Sequence, residues 1–418
     1  MPTLTPETLD FIARHKDDDV LQLAFLSGKN PRVDMSTALQ QIQGRQIARR
    51  KLPTWYKEEG ILYPPHISME QCSGEHAARY KADLTRRLGA KTLVDLSGGL
   101  GVDFTFMARE TEKALYVEQQ ENLCELARNN FPLLHLRHAE ILQGKAEEVL
   151  HTLPRVDLIY LDPSRRDSSG AKTYAISDCV PNVQALKEEL LCHGKTVIIK
   201  LSPMLDWHAA VESMRCGDGG VTEVHVVSTT NECKELILVL SPEAPPHPKV
   251  YCVNDDTVFS YDENELFPPL SFAEPHDNEF LLVPNASVMK AGCFTVVAAR
   301  YHLKAIAPNS HLLLTQTAPT SIPTPPTIPN TEDKGLPFRP FRIKTVTSLN
   351  KKSLRQATQD LRKANVAVRN FPLSAEALRN KLKLDDGGDT YIFGTTTASS
   401  THILLICERI EQLPTRNQ

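Results

Sequence analysis

Thr92-Leu93-Val94-Asp95-Leu96-Ser97-Gly98-Gly99-Leu100-Gly101 joins an apolar run to three glycines, and Phe104 to Ala108 follow at once. The apolar run reads as a strand and the segment after it as a helix. The glycines therefore fall on a strand-to-helix turn, where backbone must come close to a ligand. A dinucleotide turn needs G-x-G-x-x-G, but after Gly99 and Gly101 the third position is Phe104, which disfavours NAD.

Outward from that turn, residues 90–240 alternate helical stretches with short β-rich runs: Thr92 to Leu96, Ala114 to Val117, Leu158 to Leu161, Thr196 to Leu201, Val221 to Val227 and Leu236 to Leu240. This alternation predicts an α/β fold with a doubly wound, largely parallel sheet. Before it, Thr5 ahead of Pro6 and Glu7 is a helix start, and Leu9, Ile12 and Ala13 recur at helical spacing. Val20 to Leu26 is apolar enough to predict a buried helix, ended by Gly28 and Pro31. Ser241 to Pro248 and Thr317 to Asn330 are proline-rich and read as linkers. The expected division is an N-terminal helical region (1–85), the sheet domain (86–242), a small α+β domain with proline-rich linkers (243–335) and a basic α+β unit (336–418).

The 418 residues, 41% hydrophobic and 23% charged, suit a soluble globular chain of several domains and exclude a wholly disordered or collagenous one. No run approaches the roughly 20 apolar residues of a membrane helix. Met1 to Glu7 lacks the basic head and apolar run of a secretory signal, and the nine cysteines never form C-x-x-C, so a cytoplasmic protein with free thiols is expected. The fourteen histidines show no H-E-x-x-H spacing, and no metal is expected. Trp55 and Trp207 are expected to pack in the core. The net charge of −4 conceals an asymmetry: from Leu336 onward, fourteen Lys and Arg face seven Asp and Glu. Nine of these cations lie between Lys351 and Lys383, as in a surface that meets phosphates or in a solvated helix face.

An acid just before the glycines suits a cationic ligand. Asp95 stands where it can meet the ammonium of S-adenosylmethionine, and Glu118, at the end of the second strand, where it can accept both ribose hydroxyls. Taken singly, a tight turn and a surface acid explain the same residues. Val156 to Leu161 then leads into Asp162-Pro163-Ser164-Arg165-Arg166, a buried strand that ends on a carboxylate at the same edge of the sheet. A fixed carboxylate there orients a methyl acceptor behind the methyl carbon. Arg165 and Arg166 either grip a phosphate or form a solvated loop.

With these motifs, the chain resembles a class I S-adenosylmethionine-dependent methyltransferase, of the bacterial group carrying a THUMP-like C-terminal domain. The resemblance extends to Glu70-Gln71-Cys72-Ser73-Gly74-Glu75, Lys200-Leu201-Ser202-Pro203, Pro284-Asn285-Ala286-Ser287-Val288-Met289-Lys290-Ala291-Gly292, Val368-Arg369-Asn370-Phe371-Pro372-Leu373 and Lys383-Leu384-Asp385-Asp386-Gly387-Gly388. It implies a Rossmann-like sheet, a ferredoxin-like segment within 243–335, and an RNA partner, rRNA or tRNA. It also implies S-adenosylmethionine held by Gln71, Ser73, Asp95, Ser97, Gly98, Gly99, Gly101, Glu118, Ala146 and Asp162. Catalysis would fall to Asp162, Pro163, Lys200, Arg165 and Arg166, with Cys72 and Ser73 closing over the cofactor or Ser73 capping a helix.

Several positions depart from the pattern. Ser97 replaces a more usual glycine, and Lys145 stands where relatives carry an acid toward adenine, leaving backbone near Ala146 to serve. Ser164 and Arg165 replace the proline and aromatic of base amino-methylating relatives, and no cysteine closely follows Asp162-Pro163. Ribose 2′-O-methyltransferases use a Lys-Asp-Lys-Glu set, and Lys81, Asp162, Lys200 and Glu235 occur in that order. Unrelated charges would give the same order. The competing functions are a non-catalytic RNA-binding protein that retains the cofactor fold, and a methyltransferase for protein or small molecules.

Overall fold

The computed structural model describes residues 4–26, 30–164, 176, 179–215, 217–322 and 333–410. Its contacts divide the chain into two units, Met1–Val224 with Lys234–Pro248, and His225–Cys233 with Lys249–Gln418.

The first unit opens with helices α1 (Pro6–Arg14), α2 (Val20–Ala24), α3 (Met35–Lys51), α4 (Pro53–Lys57), α5 (His66–Gln71) and α6 (Glu75–Arg87). Thr5 starts α1 as expected: its hydroxyl accepts from the Thr8 N–H at 3.2 Å, and Pro6 occupies the first turn, where its missing N–H is harmless. The buried helix expected over Val20 to Leu26 is instead a five-residue turn that buries only Leu23, while Leu21 is 77% and Phe25 86% exposed. So short a helix can aim only one or two side chains at its neighbours.

Strands and helices then alternate: β1 (Thr92–Asp95), α7 (Val102–Met107), β2 (Lys113–Glu118), α8 (Glu121–Leu133), β3 (Ala139–Gln143), α9 (Ala146–Leu150), β4 (Val156–Leu161), α10 (Lys187–His193), β5 (Gly194–Leu201), α11 (Trp207–Ser213), β6 (Gly220–Thr229) and β7 (Glu232–Ser241). Their hydrogen-bonded order is β3-β2-β1-β4-β5-β7-β6. The first five strands are parallel and β7 runs antiparallel to β5. Strand order reverses between β1 and β4, which opens a crevice at their carboxyl ends. β4 is almost wholly apolar and buried, and so is the centre of β5 from Val197 to Ile199, as strands covered on both faces must be. β3 was not among the β-rich runs because it is an edge strand whose residues are largely exposed.

The glycine turn is shaped by an aromatic cluster beneath it. The rings of Phe104, Tyr116 and Phe131 meet at 5.2–5.5 Å, and the Tyr116 hydroxyl donates to the Gly99 carbonyl at 2.5 Å. A Cβ on Gly98 would lie 2.4 Å from the Tyr116 ring. Gly101, at φ +81°, caps α7 in the left-handed region.

In the second unit, the tip of the β6–β7 hairpin is followed in strand order by β8 (Lys249–Asn254) and β9 (Thr257–Asp262). Next come β10 (Phe280–Pro284), α12 (Ala286–Ala291), α13 (Phe294–Arg300), β11 (Lys304–Ala305), β12 (Leu313–Thr315), β13 (Phe338–Ser348), α14 (Lys351–Thr358), β14 (Asn365–Arg369), α15 (Ala375–Leu382), β15 (Thr390–Thr396) and β16 (His402–Arg409). They form a sheet of order β11-β12-β10-β13-β16-β15-β14, in which β14 and β15 are parallel. The two α+β segments share this sheet, since β10 pairs with β13 from Phe280–Arg342 to Pro284–Phe338. One face packs Leu281, Phe341, Ile343, Phe393 and Leu405; the other packs Leu354, Leu378, Ile392 and Leu404. Lys351, Lys352, Arg355, Arg362, Lys363, Lys381 and Lys383 are exposed.

Because Tyr116 is wedged between Phe104 and Phe131, it has no room to yield to a methyl group. Gly98→Ala is therefore expected to destabilise the first unit by about 1–3 kcal/mol, read as a lower urea midpoint with unchanged slope.

Candidate active site

The carboxyl edge of β1, β2, β4 and β5 gathers most of the residues singled out from the sequence. Asp95 ends β1 almost fully buried, and its Oδ1 accepts from the Ser97 N–H at 2.8 Å and the Ser97 hydroxyl at 3.1 Å. The Ser97 hydroxyl in turn accepts from the Asp162 N–H at 2.6 Å, tying the glycine turn to the end of β4. Glu118 ends β2. Its two oxygens accept from the Gly99 and Gln120 N–H groups, each at 2.8 Å, leaving further lone pairs on both. Gly144 donates to the Glu118 carbonyl at 3.0 Å and so brings Ala146, the first residue of α9, to the same edge.

Beside this turn lies a chain of alternating charges. Lys81 of α6, with no exposed side-chain surface, is paired with Glu235 of β7 and with Asp103 of α7 at 3.1 Å. Asp103 also meets the Lys200 ammonium of β5 at 3.3 Å, and Lys200 reaches Asp162 at 2.5 Å. The Ser73 hydroxyl donates to Asp103 at 2.8 Å and lies 3.0 Å from the Lys200 ammonium, which donates to it; Tyr160 donates to Asp103 at 2.7 Å. The Lys81, Asp162, Lys200 and Glu235 set thus converges, linked through Asp103. Only its outer end meets solvent: the Asp162 side chain is 41% exposed, against 13% for Lys200 and 3% for Glu235.

The electrostatics follow from this placement. Burial acts to raise the Asp103 pKa, but Lys81 and Lys200 outweigh it and hold the carboxyl well below the usual range. Burial acts to lower Lys200, yet Asp162, Asp103 and Glu235 together hold its ammonium well above the ordinary lysine value. Among the described residues Asp95 has no ion pair with a cation. Burial, helped by Asp103 and Asp162, pushes it up to about 8 despite the Ser97 hydrogen bonds.

The remaining expected residues are placed differently. Gln71 is exposed at the end of α5, and Gly74, not Ser73, caps α6. Cys72 donates to the Met69 carbonyl, and burial pushes its thiol up to about 11, which disfavours the thiolate. Pro163 is buried, and Ser164 pairs through its backbone with Val180. Arg165 and Arg166 lie outside the described residues. Trp55 and Trp207 are both buried. Asp103 and Tyr160 escaped the sequence reading, although a signal for Asp103 exists: an acid inside the otherwise apolar run Val102 to Met107 must be paired if that helix is buried.

Comparison with known proteins bears on the fold that carries this edge. Residues 338–409 match the THUMP domain-like family, and residues 280–323 match a ferredoxin-like domain family. The crystal structure of a putative methyltransferase from Porphyromonas gingivalis W83 is 29% identical, covers 98% of this chain and 100% of its own, and superposes with a TM-score of 0.82. The chain is methyltransferase-like, with a THUMP-like C-terminal domain. A putative O-methyltransferase from Klebsiella pneumoniae overlaps more weakly, at 17% identity and a TM-score of 0.35 over 48% of this chain and 89% of its own. No curated protein matches.

In this methyltransferase-like chain the donor set fits S-adenosylmethionine. Among the described residues of this edge Asp95, Asp103, Glu118, Asp162 and Glu235 outnumber Lys81 and Lys200, so carboxyl groups are in excess, and the cofactor carries both an ammonium and a sulfonium. Between the unfolded carboxyl pKa and about 8, Asp95 is protonated folded but ionised unfolded, so its contribution to stability falls as pH rises through that range. A cation beside it reverses the preference. S-adenosylmethionine affinity is expected to rise between pH 6.5 and 8.5, with proton release seen by calorimetry in two buffers, and Asp95→Asn should flatten the rise. Asp103 has the opposite sign: its depressed pKa gives stability that is present at neutral pH and lost in acid. Asp103→Asn leaves two buried ammoniums short of a counter-charge and is expected to lower urea stability by about 3–5 kcal/mol; Asp162→Asn, at the wet end, should lower it far less.

Proposed function

We propose that the chain transfers a methyl group from S-adenosylmethionine to RNA. The observation that carries this reading is the Asp162–Lys200 pair, which meets solvent at the carboxyl edge beside the Asp95–Gly101 turn while the rest of its charge network is sealed. When bound there, the cofactor supplies an electrophilic methyl group. Asp95 would hold its ammonium, Glu118 its ribose hydroxyls, and backbone at Gly98, Gly99, Gly101 and Ala146 would line it. Asp162 accepts a hydrogen bond from the acceptor and so fixes the direction of its lone pair. Lys200, held as an ammonium, is a fixed positive charge and not a base. A cation there helps an acceptor that must shed its proton to become nucleophilic, which supports a ribose hydroxyl over a base amine.

The RNA part of the reading is supported by the THUMP-like match and by the exposed cations on and around α14 and α15. Backbone phosphates would be gripped there without sequence information, while the catalytic edge selects one nucleotide.

The test is transfer of labelled methyl to total bacterial RNA, followed by digestion to nucleosides. Asp162→Ala is expected to lose about 100-fold in transfer while still binding the cofactor. Reversing Lys351, Lys352 and Arg355 to Glu should raise KM for RNA and leave kcat nearly unchanged. Charge reversal is preferable to deleting residues 336–418, because β13 is hydrogen-bonded to β10. Cofactor binding without any transfer to RNA would defeat the proposal and favour a binding role or another acceptor.

A further inference from the structure

The second unit contains a cavity of about 770 Å³ that is separate from the charge network of the first. It lies where β13 begins, β16 ends and β15 begins, and Arg339, Arg409, Tyr391 and Asp389 line it. Strand register explains the grouping. Phe341 faces Arg409 and Tyr391 faces Cys407, so Arg339, Arg409 and Tyr391 continue the sheet face that packs Phe341, Ile343 and Phe393. At this end of the face the apolar cluster gives way to two guanidinium groups.

Neither guanidinium is neutralised by a described residue. Among the described residues, Arg339 and Arg409 have no ion pair, and the Arg339 Nε is sealed from solvent with no hydrogen-bond partner. Burial, with Arg409 and Arg369 nearby, disfavours the Arg339 charge; Tyr391 is the one group that offsets it. The two lining carboxylates do not cancel this. Glu408 pairs in register with Arg342 and is engaged by Lys344 at 2.8 Å, and Asp389 makes no contact that would hold it to either arginine. A buried donor left unpaired and adjacent to a second cation is unfavourable unless a ligand completes it. An anion with several acceptor oxygens does so, and a guanidinium fork matches a phosphate. Tyr391 adds a ring on which a base can stack, and Asp389 an acceptor for a hydroxyl or amino group.

We propose that this cavity binds one nucleotide unit, its phosphate between Arg339 and Arg409 and its base against Tyr391. The inference rests on the RNA reading only for the source of that unit, an RNA strand or a free nucleotide, since both present the same chemistry. Binding in the cavity requires no methyl transfer.

The experiment uses the full chain without cofactor and a fluorescent ten-nucleotide single-stranded RNA, with unlabelled nucleoside 5′-monophosphates and inorganic phosphate as competitors. Arg409 is exposed, so Arg409→Ala should fold normally; it is expected to weaken RNA binding about tenfold and to reduce the salt slope by about one. Arg339→Lys keeps the charge but loses the fork and should weaken binding by a similar factor, while Lys113→Ala, at the exposed start of β2 in the first unit, should change affinity by less than about twofold. Competition by millimolar monophosphate, lost in Arg409→Ala, assigns the site to a free nucleotide or strand end. Failure of monophosphate to compete, with RNA binding still dependent on Arg409, assigns it to an internal nucleotide. RNA and nucleotide binding that are absent, or unchanged by both arginine substitutions, would overturn the inference even if the protein methylates RNA. Cavity binding with no methyl transfer would overturn the proposed function alone.

Discussion

Asp103 is the constraint around which the first unit is organised. A carboxylate buried between two ammonium groups is tolerable only because Lys81 and Lys200 share it and Ser73 and Tyr160 hydrogen-bond to it. Those partners come from α6, β5, the loop before α6, and β4. One buried charge thereby fixes the positions of the N-terminal helices and of the sheet together, and it leaves Asp162 at the only wet end of the network. Apolar side chains in place of the network would pack without its desolvation cost, but they would not hold a carboxylate and a cation side by side in solvent.

The arrangement divides the acids of the edge into two kinds. Asp103 and Asp162 are met by lysines, and the Lys200 ammonium is stabilised as a result. Asp95 is met by none among the described residues, and burial pushes its carboxyl up to about 8. Residues only a few ångströms apart along one sheet edge therefore carry different charges at neutral pH, which is how an edge comes to have one end suited to a cationic cofactor and another suited to a polar acceptor.

Much of this was legible in the residues. The glycine turn, the acids ending β1 and β2, and Asp162-Pro163 were found because strand-to-helix turns and strand ends are local patterns. The Lys81, Asp162, Lys200 and Glu235 set could be suggested but not distinguished from chance, because spacing along the chain says nothing about which side chains meet. Asp103 was missed: an acid inside an apolar run marks a group that needs a partner, but nothing local says which side chains meet it. The failures in the helical region have the opposite origin: Val20 to Leu26 looked buried by composition, but burial depends on which neighbours exist to cover it, and among the described residues Leu21 and Phe25 stay largely exposed. β3 was hidden because an edge strand needs few apolar residues.

The reversed direction of β7 bears on how the protein is made. Running antiparallel beside β5, it brings Glu235 from near its own beginning to the edge where the parallel strands end. The ion pair with Lys81 spans 154 positions of the chain. During synthesis, α6, the glycine turn and β5 emerge well before that glutamate, so a growing chain contains the lysines and the hub without the acid that completes their neutralisation. Such distant pairing is slow to form compared with local helix and hairpin contacts. This carboxyl edge is therefore among the last parts of the first unit to reach its final charge state, and a truncated chain that stops before β7 would hold the motifs without the completed charge network.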